Sequence, residues 1–159
     1  MKRIVLILIM CFVAITAYSI EDTYLVLYDS ESHIHLAQYE LGPSKSFTMR
    51  WIHSVELEPW EEIFKVDSDF QIVLDSTRFK AFGAGVPDSA GKRVETSDGY
   101  ISFLEINQPM DPLIYGISPI AKHTLIIENL EYPLHEWIAS DTGVLLQIER
   151  KSKLRSLIN

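Results

Sequence analysis

The chain has 159 residues, 47% of them hydrophobic, and a formal net charge of −8. That length suits one domain with a sizeable core and leaves no room for two. An acidic balance with no basic stripe repels phosphate backbones, which excludes nucleic acid as a natural ligand.

Met1-Lys2-Arg3 starts the chain with positive charge, and Ile4 to Tyr18 is almost wholly apolar. This run of about 15 residues is shorter than the roughly 20 that a membrane span requires. Ala17 and Ser19 supply small residues two apart, so residues 1–19 read as a hydrophobic export helix, a cleaved signal peptide. An uncleaved anchor, which would give the protein membrane contact, is the second reading, and a buried helix of the fold the third. Either of the first two fates places the rest outside the cytoplasm, in the periplasm or on the outer face of the membrane. Cys11 is the only cysteine. Met10 stands before it where a lipid-attachment site carries a small residue, and the apolar run continues past it, so no lipoprotein site is expected. Loss of Lys2 and Arg3 with a signal would take the charge from −8 to −10.

From residue 20 to 150 short apolar runs alternate with turn residues, the pattern of consecutive antiparallel strands. Strands are expected at Tyr24–Tyr28, around Ile34 and Leu36, and at Phe47–Ile52, with Phe47, Met49 and Trp51 on one face. Ile63–Val66 and Phe70–Leu74 follow, split by Asp67-Ser68-Asp69. Thr77 to Phe82 runs into Gly83-Ala84-Gly85-Val86-Pro87, where glycines and a proline end regular pairing. A loop is expected over Asp88–Gly99, a strand at Tyr100–Ile106 and a turn region at Asn107–Pro112. Leu113–Ile117, His123–Glu128 and Val144–Arg150 complete the series, and Leu134–Ala139 has room for one helical turn. Roughly nine short strands make the expected fold mostly β, an antiparallel β-sandwich or barrel. Residues 151–159 are a basic tail, read as solvated.

The densest polar cluster runs from Trp51 to Glu62 and reads as a loop joining two strands. His53, Glu56 and either Glu61 or Glu62 could hold zinc or another divalent ion, or form an acid–base pair. A His-x-x-Glu on a loop lacks helical geometry, so a hairpin in which Trp51 and Trp60 plug the core accounts for it as well. Ser54 beside His53 is no nucleophile–base pair, because neighbours on a strand face opposite ways. Gly83 and Gly85 either bend the chain or expose amides to an anion, and Arg78 and Lys80 just upstream would complement an organic carboxylate there. His33 and His35 share a strand face without a third ligand. His123, opening a late strand, is expected within reach of His53. The cofactor is left unassigned.

Arg50-Trp51-Ile52-His53-Ser54-Val55-Glu56, then Pro59 and Glu61-Glu62, then Phe82-Gly83-Ala84-Gly85-Val86-Pro87, resemble the pattern of the bacterial domain of unknown function 1850. His123 fits a late histidine of that pattern. The resemblance implies a small exported or membrane-anchored protein, often encoded beside tripartite ATP-independent periplasmic (TRAP) transporters with a TAXI-type receptor. It implies no catalytic residue and leaves open which glutamate of the pair matters. Three functions follow as expectations. The first is a non-enzymatic accessory module that contacts a receptor or permease subunit, or its solute, through His53, Ser54, Glu56, Glu61, Glu62, Gly83, Gly85 and His123. The second is a metal-binding protein or metal-dependent hydrolase using His53, Glu56, Glu61 or Glu62, and His123. The third is a structural envelope domain.

Overall fold

A computed structural model describes residues 21–80 and 91–152. The apolar N-terminal segment, the Gly83–Pro87 motif and the end of the basic tail lie outside the described residues. The expectation of mostly β structure holds. Among the described residues two antiparallel sheets carry twelve strands, more than the roughly nine read from the sequence.

The smaller sheet is built from β1 (Glu21–Asp29), β2 (His35–Glu40), β9 (Leu113–Gly116) and β12 (Gly143–Ser152), in the order β2-β1-β12-β9. The larger contains β3 (Ser46–Ile52), β4 (Pro59–Val66), β5 (Ile72–Phe79), β6 (Arg93–Ser97), β7 (Tyr100–Leu104), β10 (Thr124–Ile127) and β11 (Leu130–Pro133). Its order is β11-β10-β3-β4-β5-β7-β6, and a two-residue strand, β8 (Gln108–Pro109), also pairs with β5. Period-two alternation on β3 puts Phe47 and Met49 in the core, where Phe47 stacks on Phe64 at 5.0 Å between ring centroids. Leu25, Leu27, Leu125 and Leu146 from both sheets close the same core.

Turn chemistry sets the hairpins. Asp29 Oδ1 accepts from the amides of Glu31 and Ser32, and Asp67 Oδ1 accepts from those of Asp69 and Gln71. Five readings from the sequence are corrected. β4 begins at Pro59 rather than Ile63, because Ile52↔Pro59 already pairs with β3, so the His53 loop is short. β5 is one strand, and Phe70 sits before it with φ of 62°. Residues 93–97 form β6 although the region carries no apolar alternation, since pairing with β7 supplies the ladder. His33 lies in a turn at φ 56°, so it does not share a strand face with His35. β12 runs through Lys151 and Ser152, two residues into the segment read as tail, because β1 pairs with it to its end.

The sandwich has two distinct ends. Leu41 N–H donates to Thr23 O, which holds the chain just past the end of β2 beside the start of β1. At the other end Ser30 N–H donates to Gly143 O, Gly143 pairs with Gly116, and Ile52 N–H donates to Ala121 O at 2.7 Å. The His53 loop and the connection from β9 to β10 therefore share the end away from Glu21, here termed the crown. β1 alone separates the ends by roughly 27 Å.

Candidate functional site

His53 follows β3 directly and closes a six-residue loop. Its N–H donates to Glu58 O at 2.9 Å, and its carbonyl accepts from Leu57 N–H at 2.9 Å. Leu57 takes a positive φ of 56° to make that closure. The Nδ1 atom of His53 faces the Glu56 amide at 3.4 Å, so the imidazole rather than Ser54 or Glu56 caps the loop's backbone.

The ring itself rests on Trp60, 5.4 Å between centroids and 25° between planes. Trp60 stacks on Trp51 at 5.8 Å, and Trp51 on His123 at 6.2 Å. The cross-strand pair Trp51↔Trp60 dictates this column, since directly opposed side chains share a face. Trp60 is held in turn by its indole N–H, which donates to Thr77 Oγ1 at 2.8 Å, while Thr77 Oγ1 donates to Glu61 O. The sequence expectation that His53 and His123 come together is thus met only indirectly, with two indoles between them.

His123 is 8% exposed. Its Nδ1 accepts from Ser118 N–H at 3.2 Å, and its carbonyl accepts from His135 N–H. Burial holds its imidazole below the usual histidine range, and nearby His135 adds to the depression. His123 is a neutral wedge in the column.

Glu61 and Glu62 part company because they are neighbours on a strand. Glu61 points to the outer face, where Arg78 Nε and Nη2 both reach its Oε2, at 2.6 and 2.5 Å. Register explains this, since Arg50, Glu61 and Arg78 lie opposite one another across β3, β4 and β5. Arg78 also lies over the Tyr100 ring at 4.9 Å, and Arg50 bonds Glu131 at 2.6 Å. Glu62 points between the sheets, where its carboxylate accepts from the Tyr115 hydroxyl of β9. Burial pushes the Glu62 carboxyl above its ordinary range, and the Tyr115 bond only partly opposes that. Tyr115 is raised too, chiefly by burial and then by the adjacent carboxylate.

Sequence reasoning missed Tyr115 as the partner of Glu62. The run Leu113-Ile114-Tyr115 marked a strand but named no partner on another sheet.

These placements limit the chemistry. With Glu61 outward and Glu62 inward, the suggested ligand set does not converge. Among the described residues no three His, Cys, Asp or Glu side chains gather where a metal ion could be held. The crevice beside His53, lined by Glu58, Trp60, Phe79 and Lys80, has about 10 Å³ of solvent space, enough for roughly one water. Organic solutes do not fit there.

The surface is different. Val55 and Leu57 at the loop tip are 62% and 72% exposed, and Ile120 on the neighbouring loop is 82% exposed. Lys80, at the end of β5, places Nζ 3.6 Å from Glu58 Oε2 and so borders the same loop. Gly83 follows Lys80 by three residues, outside the described part of the chain.

No curated protein and no solved structure matches the chain. A family model described as a domain of unknown function, DUF1850, matches residues 47–134, which takes in the His53 loop, both glutamates and His123. That match covers more than half of the sequence, and the chain belongs to the DUF1850 family.

Proposed function

We propose that the protein is a non-enzymatic, extracytoplasmic accessory module of a TRAP-type solute transport system, docking a receptor or permease subunit through its crown. The contact surface consists of His53, Ser54, Glu56, Val55, Leu57 and Ile120. The observation that carries the reading is the pairing of exposed apolar tips with a rigid support. Val55, Leu57 and Ile120 project into solvent. The loops that bear them are fixed by the Ile52–Ala121 bond, the His53–Glu58 closure and the stack of His53 on Trp60.

Rigid loops with exposed aliphatic residues suit a protein partner, because little ordering entropy is lost on docking. Beside His53 the one-water crevice leaves the exposed aliphatic tips, rather than a pocket, as the contact the loop can offer. In this account His53 and Trp60 position the loop, and the aliphatic tips make the contact. The supporting test combines Val55→Ser, Leu57→Ser and Ile120→Ser in one variant and measures solute uptake together with co-purification of the receptor and permease. Loss of both with an unchanged unfolding transition is expected. Normal uptake and an intact complex in that variant would overturn the proposal.

A further inference from the structure

The outer face of the larger sheet carries a cup that neither the core nor the crown uses. Antiparallel register builds it. Thr48, Ile63 and Ser76 lie opposite one another across β3, β4 and β5. The neighbouring row is Arg50, Glu61 and Arg78, and it continues to Ser102 of β7. Period-two alternation turns these side chains away from Phe47, Met49 and Phe64 in the core. The cup holds about 340 Å³ of solvent space and is lined by the three hydroxyl residues, by Ile63 and Leu104, and by the Glu61–Arg78 pair. That volume lies within the roughly 300–1,000 Å³ of small-ligand sites.

An outward-facing strand residue ordinarily stands in open water. Here Ser76 is 7% exposed and Glu61 is 4% exposed. The hydroxyls of Thr48, Ser76 and Ser102 meet no hydrogen-bond partner among the described residues, whereas no fully enclosed side-chain polar atom among them is left unpaired. The Ser76 hydroxyl is therefore not sealed but opens into the cup that the residue lines. A hydroxyl so enclosed and unpaired is costly until water or a ligand meets it.

Charge narrows the ligand. Arg78 Nε and Nη2 both bond Glu61 Oε2, and Arg50 beyond them is paired with Glu131. The wall is thus polar without net charge. An anion entering the cup competes with Glu61 for Arg78, and a cation competes with Arg78 for Glu61. A neutral ligand avoids both. Each hydroxyl donates and accepts, the carboxylate accepts and the guanidinium donates, while Ile63 and Leu104 offer aliphatic surface to C–H groups. We propose that the cup binds an uncharged, polyhydroxylated ligand of monosaccharide size. Thr48, Ser76 and Ser102 meet its hydroxyls, and the Glu61–Arg78 pair sets the preference for a neutral ring. The cup shares no residue with the crown surface, so it stands whether or not a partner docks there.

The test titrates the full-length protein, in a zwitterionic detergent because a sugar-headed one would compete, with methyl β-glucoside, methyl β-galactoside and methyl α-mannoside up to millimolar concentrations. Methyl glucuronide is the charged comparison, and saturation-transfer NMR reads binding from the ring protons. A neutral glycoside is expected to bind more tightly than the glucuronide. Ser76→Ala and Ser102→Ala should each weaken it about fivefold, with an unchanged unfolding transition. Glu61→Gln, which leaves the Arg78 charge unanswered, should shift the preference toward the glucuronide. No saturation transfer to any neutral glycoside, or undiminished binding in the double serine variant, would overturn the site. Equal binding of the glucuronide by the parent protein, or an unchanged preference in Glu61→Gln, would overturn the selection for a neutral ring.

Discussion

Replacing Tyr115 with Phe removes one hydroxyl from the space between the sheets and leaves the Glu62 carboxyl without the donor that now meets it. Glu62 titrates above the ordinary carboxylate range in the folded protein because of its burial. The folded state thus holds this proton more tightly than the unfolded chain does. Its favourable contribution is complete below the unfolded pKa of about 4.5 and is lost as pH rises through the higher folded value. Removing the Tyr115 hydroxyl takes away the one interaction that opposes this shift, so the folded pKa climbs and the loss extends to higher pH. At pH 4 the substitution breaks a bond to a neutral acid and costs about 1 kcal/mol. At pH 8 it strands a buried carboxylate, and the cost rises to about 3 kcal/mol. Urea unfolding followed by tryptophan fluorescence at the two pH values reads the difference directly, because Trp51 packs against Tyr115 at 6.0 Å. Glu62→Gln, which keeps an acceptor for Tyr115, should flatten the pH dependence over the same window. An equal cost for Tyr115→Phe at both pH values, or an unchanged slope in Glu62→Gln, would refute the reasoning.

His123 acts in the opposite sense. Its pKa is depressed by burial, so its contribution is present above about 6.5 and is lost as pH falls through the lower folded value. His123→Gln should therefore reduce the loss of stability on mild acidification, as measured by the unfolding midpoint between pH 7 and 5. Arg78→Met leaves the Glu61 carboxyl, 4% exposed, without its ion-pair partner. A cost of about 2–3 kcal/mol is expected, tempered by the exposure of Arg78 and mostly restored in the double variant with Glu61→Gln. Trp60→Ala empties the centre of the aromatic column, and chemical denaturation should show a loss of about 3–5 kcal/mol. By contrast, Val55→Ser and Leu57→Ser touch only exposed tips and should change stability by no more than about 0.5 kcal/mol in the same assay.

Much of this fold was legible because alternation is a local signal. Phe47, Met49 and Trp51 could be set on one face from spacing alone, and their pairing with Phe64, Glu62 and Trp60 follows once β4 begins at Pro59. β6 was illegible, since all five of its residues are exposed and only the ladder with β7 makes them a strand. At the site, the sequence picked out His53, Glu61, Glu62 and His123 but read them as one cluster. Strand geometry divides them. Glu61 and Glu62 face opposite sides of β4, and two indoles stand between the histidines. The role of Tyr115 depended on how one sheet lies over the other, which no local pattern encodes.

The central claim, a crown that docks a transport partner, is tested most directly by capturing the tagged full-length protein from its native envelope in mild detergent. The variant carrying Val55→Ser, Leu57→Ser and Ile120→Ser is captured in parallel, and co-purified proteins are identified by mass spectrometry. The account predicts a solute receptor or permease subunit with the parent protein and its loss with the variant. Recovery of the same partner with both would contradict a crown interface, and recovery of neither subunit with the parent protein would contradict the transport role.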